Sequence, residues 1–216
     1  MGLLDLLLPS ACAACGRYGS PLCGDCLSRF RPATRAEHRF LAPDPGVVIG
    51  DALDVALAAF AYEGALRRAL QRLKYGGASR LAAPLALAAL PTLRQVTSLV
   101  GPASLVPVPV HRDRLRERGY NQAALLARML GQRAGLPVAD LLLRERATVK
   151  QHQLDRAGRL RNLRAAFSPA PGMRAPAVVI LVDDILTTSA TLESCAHVLR
   201  AAGAECVAGL VIGREV

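Results

Sequence analysis

The hydrophobic pattern peaks at residues 178–182, Val-Val-Ile-Leu-Val, five apolar and mostly β-branched residues in a row. A run of this kind has no helical period and predicts a central strand buried on both faces of a parallel sheet. It ends in two carboxylates, Asp183 and Asp184, followed by small hydroxyl residues and then by residues 192–199, whose spacing predicts a helix. Further strands are predicted near 104–110, 141–144 and 204–211, and residues 54–62 are apolar enough for a strand or an opening element. Helices are predicted over 65–75, where Leu66, Ala69, Leu70 and Leu73 share a face, and over 123–131. The strand near 104–110 reads Val-Pro-Val-Pro-Val toward its end, and prolines suit a strand's end rather than its centre. Strand, loop and helix alternate from Asp51 onward, the signature of a doubly wound parallel α/β sheet that binds its ligand at the carboxyl ends of the strands.

The front of the chain breaks this pattern. Cys12, Cys15, Cys23 and Cys26 form two Cys-x-x-Cys pairs separated by seven residues. Each pair brings two thiolates to one metal from a tight turn, so the four predict a compact, four-cysteine zinc-ribbon-like module with a structural Zn2+. Disulfides are the alternative, disfavoured by the cytoplasmic setting argued below. Residues 30–45 are polar and punctuated by Pro32, Pro43 and Pro45, which reads as a linker. The expected organisation is therefore a module and linker over 1–45 and an α/β domain over 46–216.

Composition narrows the class. At 216 residues and 52% hydrophobic, the chain can bury a full core. No apolar run reaches the ~18 residues of a membrane helix; the Ala/Leu-rich stretch 81–93 is interrupted by Pro84 and Pro91. The first residues lack a basic segment and carry Asp5 within a short apolar run, so no secretion signal is predicted and the expectation is a cytoplasmic protein without membrane insertion. Net charge is +10, and residues 112–164 alone hold thirteen Lys/Arg against five acids, an excess of eight. Such a concentration predicts polyanionic partners, either a pyrophosphate-bearing substrate or nucleic acid.

Three stretches carry candidate chemistry. After the 178–182 strand, adjacent carboxylates could accept hydrogen bonds from two ribose hydroxyls, directly or through Mg2+. The following Thr187, Thr188, Ser189, Ala190 and Thr191 sit where a helix N-terminus presents unpaired N–H groups to a phosphate. A ribose 5-phosphate combines both features; the plainer reading is a strand end and a helix cap. A Walker B strand is excluded, because no Gly-x-x-x-x-Gly-Lys-Ser/Thr loop is present. The second stretch, 111–122, is a strand-loop-helix junction dense in arginine that includes Arg118, Gly119, Tyr120 and Asn121. Its guanidinium groups could neutralise a departing pyrophosphate, while Gly119 and Asn121 could instead be only a turn and cap. The third is Lys74, delivered by the 65–75 helix to a turn at Gly76 and Gly77, where it serves either a ligand or the helix dipole.

The 178–192 segment resembles the phosphoribosyl pyrophosphate (PRPP) motif of type I phosphoribosyltransferases. With the four cysteines, Leu73-Lys74-Tyr75, and the blocks 106–122 and 148–167, the match narrows to the ComF family, known from bacterial competence and DNA uptake. The resemblance implies a phosphoribosyltransferase fold in which Asp183 and Asp184 hold the ribose and residues 187–191 the 5-phosphate. It places Lys74 near the site, Arg118 to Asn121 beside the pyrophosphate, and a lid over 148–167. The implied reaction is Mg2+-dependent transfer of phosphoribose from PRPP to a nitrogen nucleophile. The alternative it implies is a DNA-uptake factor that binds single-stranded DNA or competence proteins, with PRPP as regulator or with a retired site. This chain departs from the family in carrying Ser189 where Gly is usual, a hydroxyl donor in place of a residue free to take positive φ.

Overall fold

The computed structural model describes residues 10–33, 51–75, 77–145, 166–187 and 189–215. Its centre is a four-stranded, all-parallel sheet built from β1 (Val55–Ala61), β2 (Ser104–Pro107), β5 (Val178–Leu186) and β6 (Cys206–Arg214), in the spatial order β1-β6-β5-β2. Residues on each strand alternate between two cores, so both faces must be covered. On one face Leu57, Leu105, Ile180 and Leu210 meet α2 (Gly64–Tyr75), α3 (Ala82–Val100) and α5 (Gln122–Ala134) through Leu70, Leu85 and Leu126. On the other, Val106, Val179, Leu181 and Val207 meet α6 (Ala190–Ala201) through Leu192, Cys195 and Leu199. Helices on both faces make this the doubly wound α/β fold expected from the sequence. The approach of α6 to the sheet is close: a Cβ on Gly209 would lie 2.9 Å from Leu192 Cδ1 and 3.2 Å from Ala56 Cβ.

The structure revises several local readings. Strand β5 does not stop at the carboxylates; Ile185 and Leu186 remain paired with Gly213 and Arg214, because β6 is long enough to partner them. The 141–144 strand is real but outside the main sheet: β3 (Leu142–Arg144) pairs antiparallel with β4 (Phe167–Pro169) in a separate ribbon. The arginine-rich loop after β2 contains a short helix, α4 (Arg112–Arg118), whose N-cap His111 accepts a hydrogen bond from the Asp113 N–H. Helix α3 runs through Pro91 and was hidden by its prolines; Pro84 falls in the first turn, where a missing N–H leaves no intrahelical bond unmade.

The start of the expected linker is integrated into the domain. Phe30 is buried with its ring 5.2 Å from that of Phe60, and Ala61 N–H donates to Arg31 O while Ala33 N–H donates to Ala59 O. Residues 31–33 thus lie against β1. The rest of the linker and the expected domain start at Gly46 lie outside the described residues, as does nearly all of the expected lid. Among the described residues no helix is long and apolar enough to cross a membrane.

Candidate functional site

The four cysteines come together. Cys12 and Cys15 lie on a tight turn, while Cys23 caps α1 (Gly24–Leu27) and Cys26 sits within it. All four sulfurs lie within 4.8 Å of one another, and Cys15 Sγ is 3.7 Å from Cys23 Sγ. A tetrahedral zinc at about 2.3 Å from each sulfur requires sulfurs about 3.8 Å apart, so the geometry fits that ion. Burial opposes ionisation of Cys12, but the N–H groups of Cys23, Ala14 and Cys15 prevail and bring it down to about 6. Burial and the neighbouring thiols push Cys26 up to about 12. A cluster whose members oppose one another's ionisation is the setting a divalent cation relieves. The module is fastened to α2, where Arg68 Nε donates to Ala14 O at 2.7 Å, and Cys12, Cys26 and Phe30 share one core with Leu66 and Leu70.

The second site opens where the sheet splits. β2 follows β5 only as far as Val108, whose N–H donates to Val182 O at 2.9 Å. Pro109 has no N–H to continue the ladder, and the edge of β5 beyond Val182 is left uncovered. A cleft of about 370 Å3 forms there, lined by Asp183, Asp184, Thr187 and Thr191, by Lys74, Tyr75 and Gln71 of α2, and by Arg114, Arg118 and Arg144. As neighbours on one strand, the two carboxylates lean to opposite sides. Asp184 is buried, and Lys74 Nζ lies 3.0 Å from its Oδ2. That contact falls short of hydrogen-bond geometry, so Asp184 Oδ2 is a buried acceptor without a hydrogen-bond partner among the described residues, as Arg118 Nε is a buried donor without one.

Asp183 answers to the other side. Burial first, and then the charge of Asp184, push its carboxyl up to about 8, against the pull of the Asp184 N–H and the Lys74 ammonium. Arg144 stacks on Phe167 at 5.3 Å, and burial followed by the charge of Arg114 lowers its pKa, with Asp183 working the other way. The result is a cleft with carboxylates along one strand and guanidinium groups on the facing elements, suited to a ligand that carries both hydroxyls and anionic oxygens.

The other sequence candidates divide. Arg118 lines the cleft, bonds Gln122 Oε1 at 3.1 Å and lies over the Tyr75 ring at 4.9 Å. Gly119, Tyr120 and Asn121 are not among its lining residues; they build the loop behind it. Gly119 ends α4 with φ at +79°, a conformation that favours glycine, and the Tyr120 hydroxyl donates to Leu73 O at 2.6 Å. Asn121 caps α5 by accepting from Ala123 N–H, while its amide donates to Val108 O at 3.0 Å. Burial raises the Tyr120 pKa, against the charge of Arg118. Ser189 and Ala190 are buried at the start of α6; Ser189 has ordinary right-handed φ of −66°, so this backbone does not call for glycine, and its Oγ has no hydrogen-bond partner among the described residues. Thr188 lies outside the described residues. The sequence reading counted Arg114 and Arg144 in the basic segment without assigning them to a site, and what would have singled out Arg144 is its place at the end of a short strand.

A further polar group, Asp51, Glu193 and His197, sits on α6 and the segment before β1. Glu193 is buried and accepts from Ala52 N–H at 2.8 Å and Leu53 N–H at 3.2 Å, so it holds that segment to the helix.

A parallel α/β sheet with an acidic strand tip facing arginines, joined to a four-cysteine module, defines a two-part class of protein. The curated relatives agree on a single family. The chain is 29% identical to Competence protein F of Haemophilus influenzae, over 94% of this chain and 90% of that one. It is 31% identical to the DNA utilization protein YhgH of Salmonella typhimurium, over 92% and 86%. Competence protein ComFC of Streptococcus pneumoniae is 33% identical over 46% of this chain and 43% of its own. The chain belongs to the ComF family of competence and DNA utilization proteins. No family model matches it. A solved structure of the allosteric regulatory enzyme of purine biosynthesis aligns with 61% of this chain and 26% of its own at 20% identity, with a TM-score of 0.39.

Proposed function

We propose that the protein binds PRPP with Mg2+ and transfers its phosphoribosyl group to a nitrogen nucleophile, releasing pyrophosphate. The observation that carries this reading is the buried Asp184 Oδ2, without a hydrogen-bond partner among the described residues, in a cleft whose facing elements supply Arg114, Arg118 and Arg144. A ligand that offers neither a hydrogen-bond donor nor a cation would leave that acceptor with only the Lys74 ammonium beside it. Ribose hydroxyls or a cation would satisfy it. In this reading Asp183 and Asp184 hold the ribose, and Thr187 to Thr191 with the start of α6 receive the 5-phosphate. Arg118, with Arg114 and Arg144, attracts the pyrophosphate, and residues 119–121 hold the loop that aims Arg118. Mg2+ suits the donor set of two carboxylates, which would hold it with ligand oxygens and let it neutralise departing charge. Residues 46–216 form the phosphoribosyltransferase-like domain, residues 1–45 form the zinc module with its linker, and the reaction belongs in the cytoplasm.

Calorimetric titration of PRPP with Mg2+ tests this, beside an Asp183→Asn/Asp184→Asn double variant. Binding in the wild type and its loss in a folded double variant are expected; equal affinity in both would refute the role of the carboxylates. A second reading is favoured by the relatives' names, which speak of competence and DNA utilization. There the protein handles single-stranded DNA or competence proteins, with PRPP as regulator or with a retired site. DNA affinity should then fall steeply with salt, because arginine contacts to phosphates release counterions.

A further inference from the structure

Among the described residues the acidic cleft is not the largest concavity. Between the first cysteine turn and α2 lies a cleft of about 680 Å3, lined by residues 11–14, Gly16, Arg68, Gln71, Arg72 and Tyr75. Positions 68, 71, 72 and 75 recur at helical spacing and form the outward face of α2, whose inward face is Leu66, Ala69, Leu70 and Leu73. Gln71 and Tyr75 line both clefts, so the two adjoin along the C-terminal half of this helix.

The joining residues are chemically specific. Tyr75 is 70% exposed, unusual for a large ring beside a buried ion pair, and Arg118 covers only one of its faces. The uncovered part of the ring is a platform for another planar group. Gln71 adds an amide with both donors and an acceptor, the chemistry that reads the edge of a heterocycle. Arg72 is exposed, and Arg68 uses its Nε on Ala14 O while its terminal nitrogens keep their donors for an anion.

We infer that this cleft is the seat of the acceptor, and that the acceptor is a nucleobase carrying a phosphate, its ring stacked on Tyr75 and its phosphate on Arg68 and Arg72. The inference rests on the PRPP reading of the acidic cleft, beside which an acceptor must sit. A ring or exocyclic nitrogen gives its lone pair to C1 of the ribose as the C1–O bond to pyrophosphate breaks. The bonding pair leaves on pyrophosphate, and the acceptor's N–H proton passes to solvent. The cysteine module then forms one wall of the acceptor site. A free nucleotide and a nucleotide within a single strand present the same chemistry.

Two probes separate those sources: thymidine 3′,5′-bisphosphate and 5′-phosphorylated hexathymidylate, each titrated calorimetrically into the zinc-loaded protein, with and without saturating PRPP and Mg2+. At least one should bind, and its binding should persist with PRPP present. Tyr75→Ala should weaken it about 5- to 150-fold, the range that loss of one stacked base gives, and Arg72→Ala at least threefold. Both side chains are exposed, so the variants should fold, which circular dichroism verifies. Binding of the bisphosphate supports a free nucleotide; binding of the hexamer alone supports a strand. No binding of either probe at millimolar concentration, displacement by PRPP, or affinities unmoved by both substitutions would overturn the inference. Failure of PRPP itself to bind wild type would sink the reading of the acidic cleft, and the two substitutions would still decide the nucleotide cleft.

Discussion

Asp183 should make the folded protein less stable as pH rises, and its removal should be stabilising. Burial and Asp184 push the folded carboxyl up to about 8, while the unfolded chain releases the proton near pH 4. Between those values the folded state holds a proton that the unfolded state has lost, so stability declines from about pH 4 to about pH 8 and not beyond. At pH 7 the gap of roughly 3 pH units, at 1.36 kcal/mol each, sets a ceiling of about 4 kcal/mol. Water reaching the partly exposed side chain reduces the expected figure to about 2 kcal/mol. The groups that set this balance are Asp184, Lys74, Arg144 and the Cys195 thiol. Asn at 183 keeps an oxygen for the Asp184 N–H, bonded at 2.8 Å, and removes the titration. Urea unfolding of wild type and Asp183→Asn at pH 5, 6, 7 and 8 measures the difference. The variant's advantage should grow with pH and level off near pH 8. A difference that stays constant across the series, or one that shrinks as pH rises, would refute the reasoning, because neither outcome is compatible with a raised carboxyl.

Two further predictions concern the cysteine module and the loop behind Arg118. Protein purified without chelator should carry about one zinc per chain by elemental analysis, and Cys15→Ser or chelation should lower the melting temperature, since binding energy at such a site is folding energy; an unchanged melting curve after verified metal removal would count against it. Asn121→Ala removes the α5 cap and the bond to Val108 O, and should destabilise by about 1–2 kcal/mol in urea. Asn121→Asp, which keeps the capping oxygen, should recover part of that loss.

What the sequence disclosed was governed by how local each feature is. The 178–182 run, the helical face of 65–75 and the cysteine spacing depend on near neighbours, and each reappears with bounds shifted by a few residues. The continuation of β5 to Leu186 does not, since it depends on β6 lying alongside from 25 residues or more downstream. Proline misled in one place and informed in another. Pro84 and Pro91 concealed α3, held by burial of Leu85, Ala89 and Leu93, whereas Pro109 ends the β2 ladder and opens the cleft. The role of Asn121 rested on a choice between cap and ligand contact, and only the distances to Ala123 N and Val108 O describe which bonds it makes. Arg144 and Arg114 were counted in the basic segment, but their convergence on the cleft of Asp183 is a tertiary fact.

Helix α2 ties these observations together. Its inner face shares a core with Cys12, Cys26 and Phe30 on one side and with Leu210 and Ile212 of β6 on the other. Its last turn carries Lys74 to Asp184 and Tyr75 to Arg118. The 12 residues of this helix link the two sites through one continuous backbone hydrogen-bond ladder. The cysteine module, though far from the carboxylates in sequence, thus packs on the helix that forms one wall of their cleft. That connection explains why a segment too short for a core of its own is held by ring packing, by backbone pairing to β1 and by Arg68 rather than left on a tether. A module that lines a cleft must be held to the same tolerance as the residues across from it, and the contacts along α2 supply that restraint.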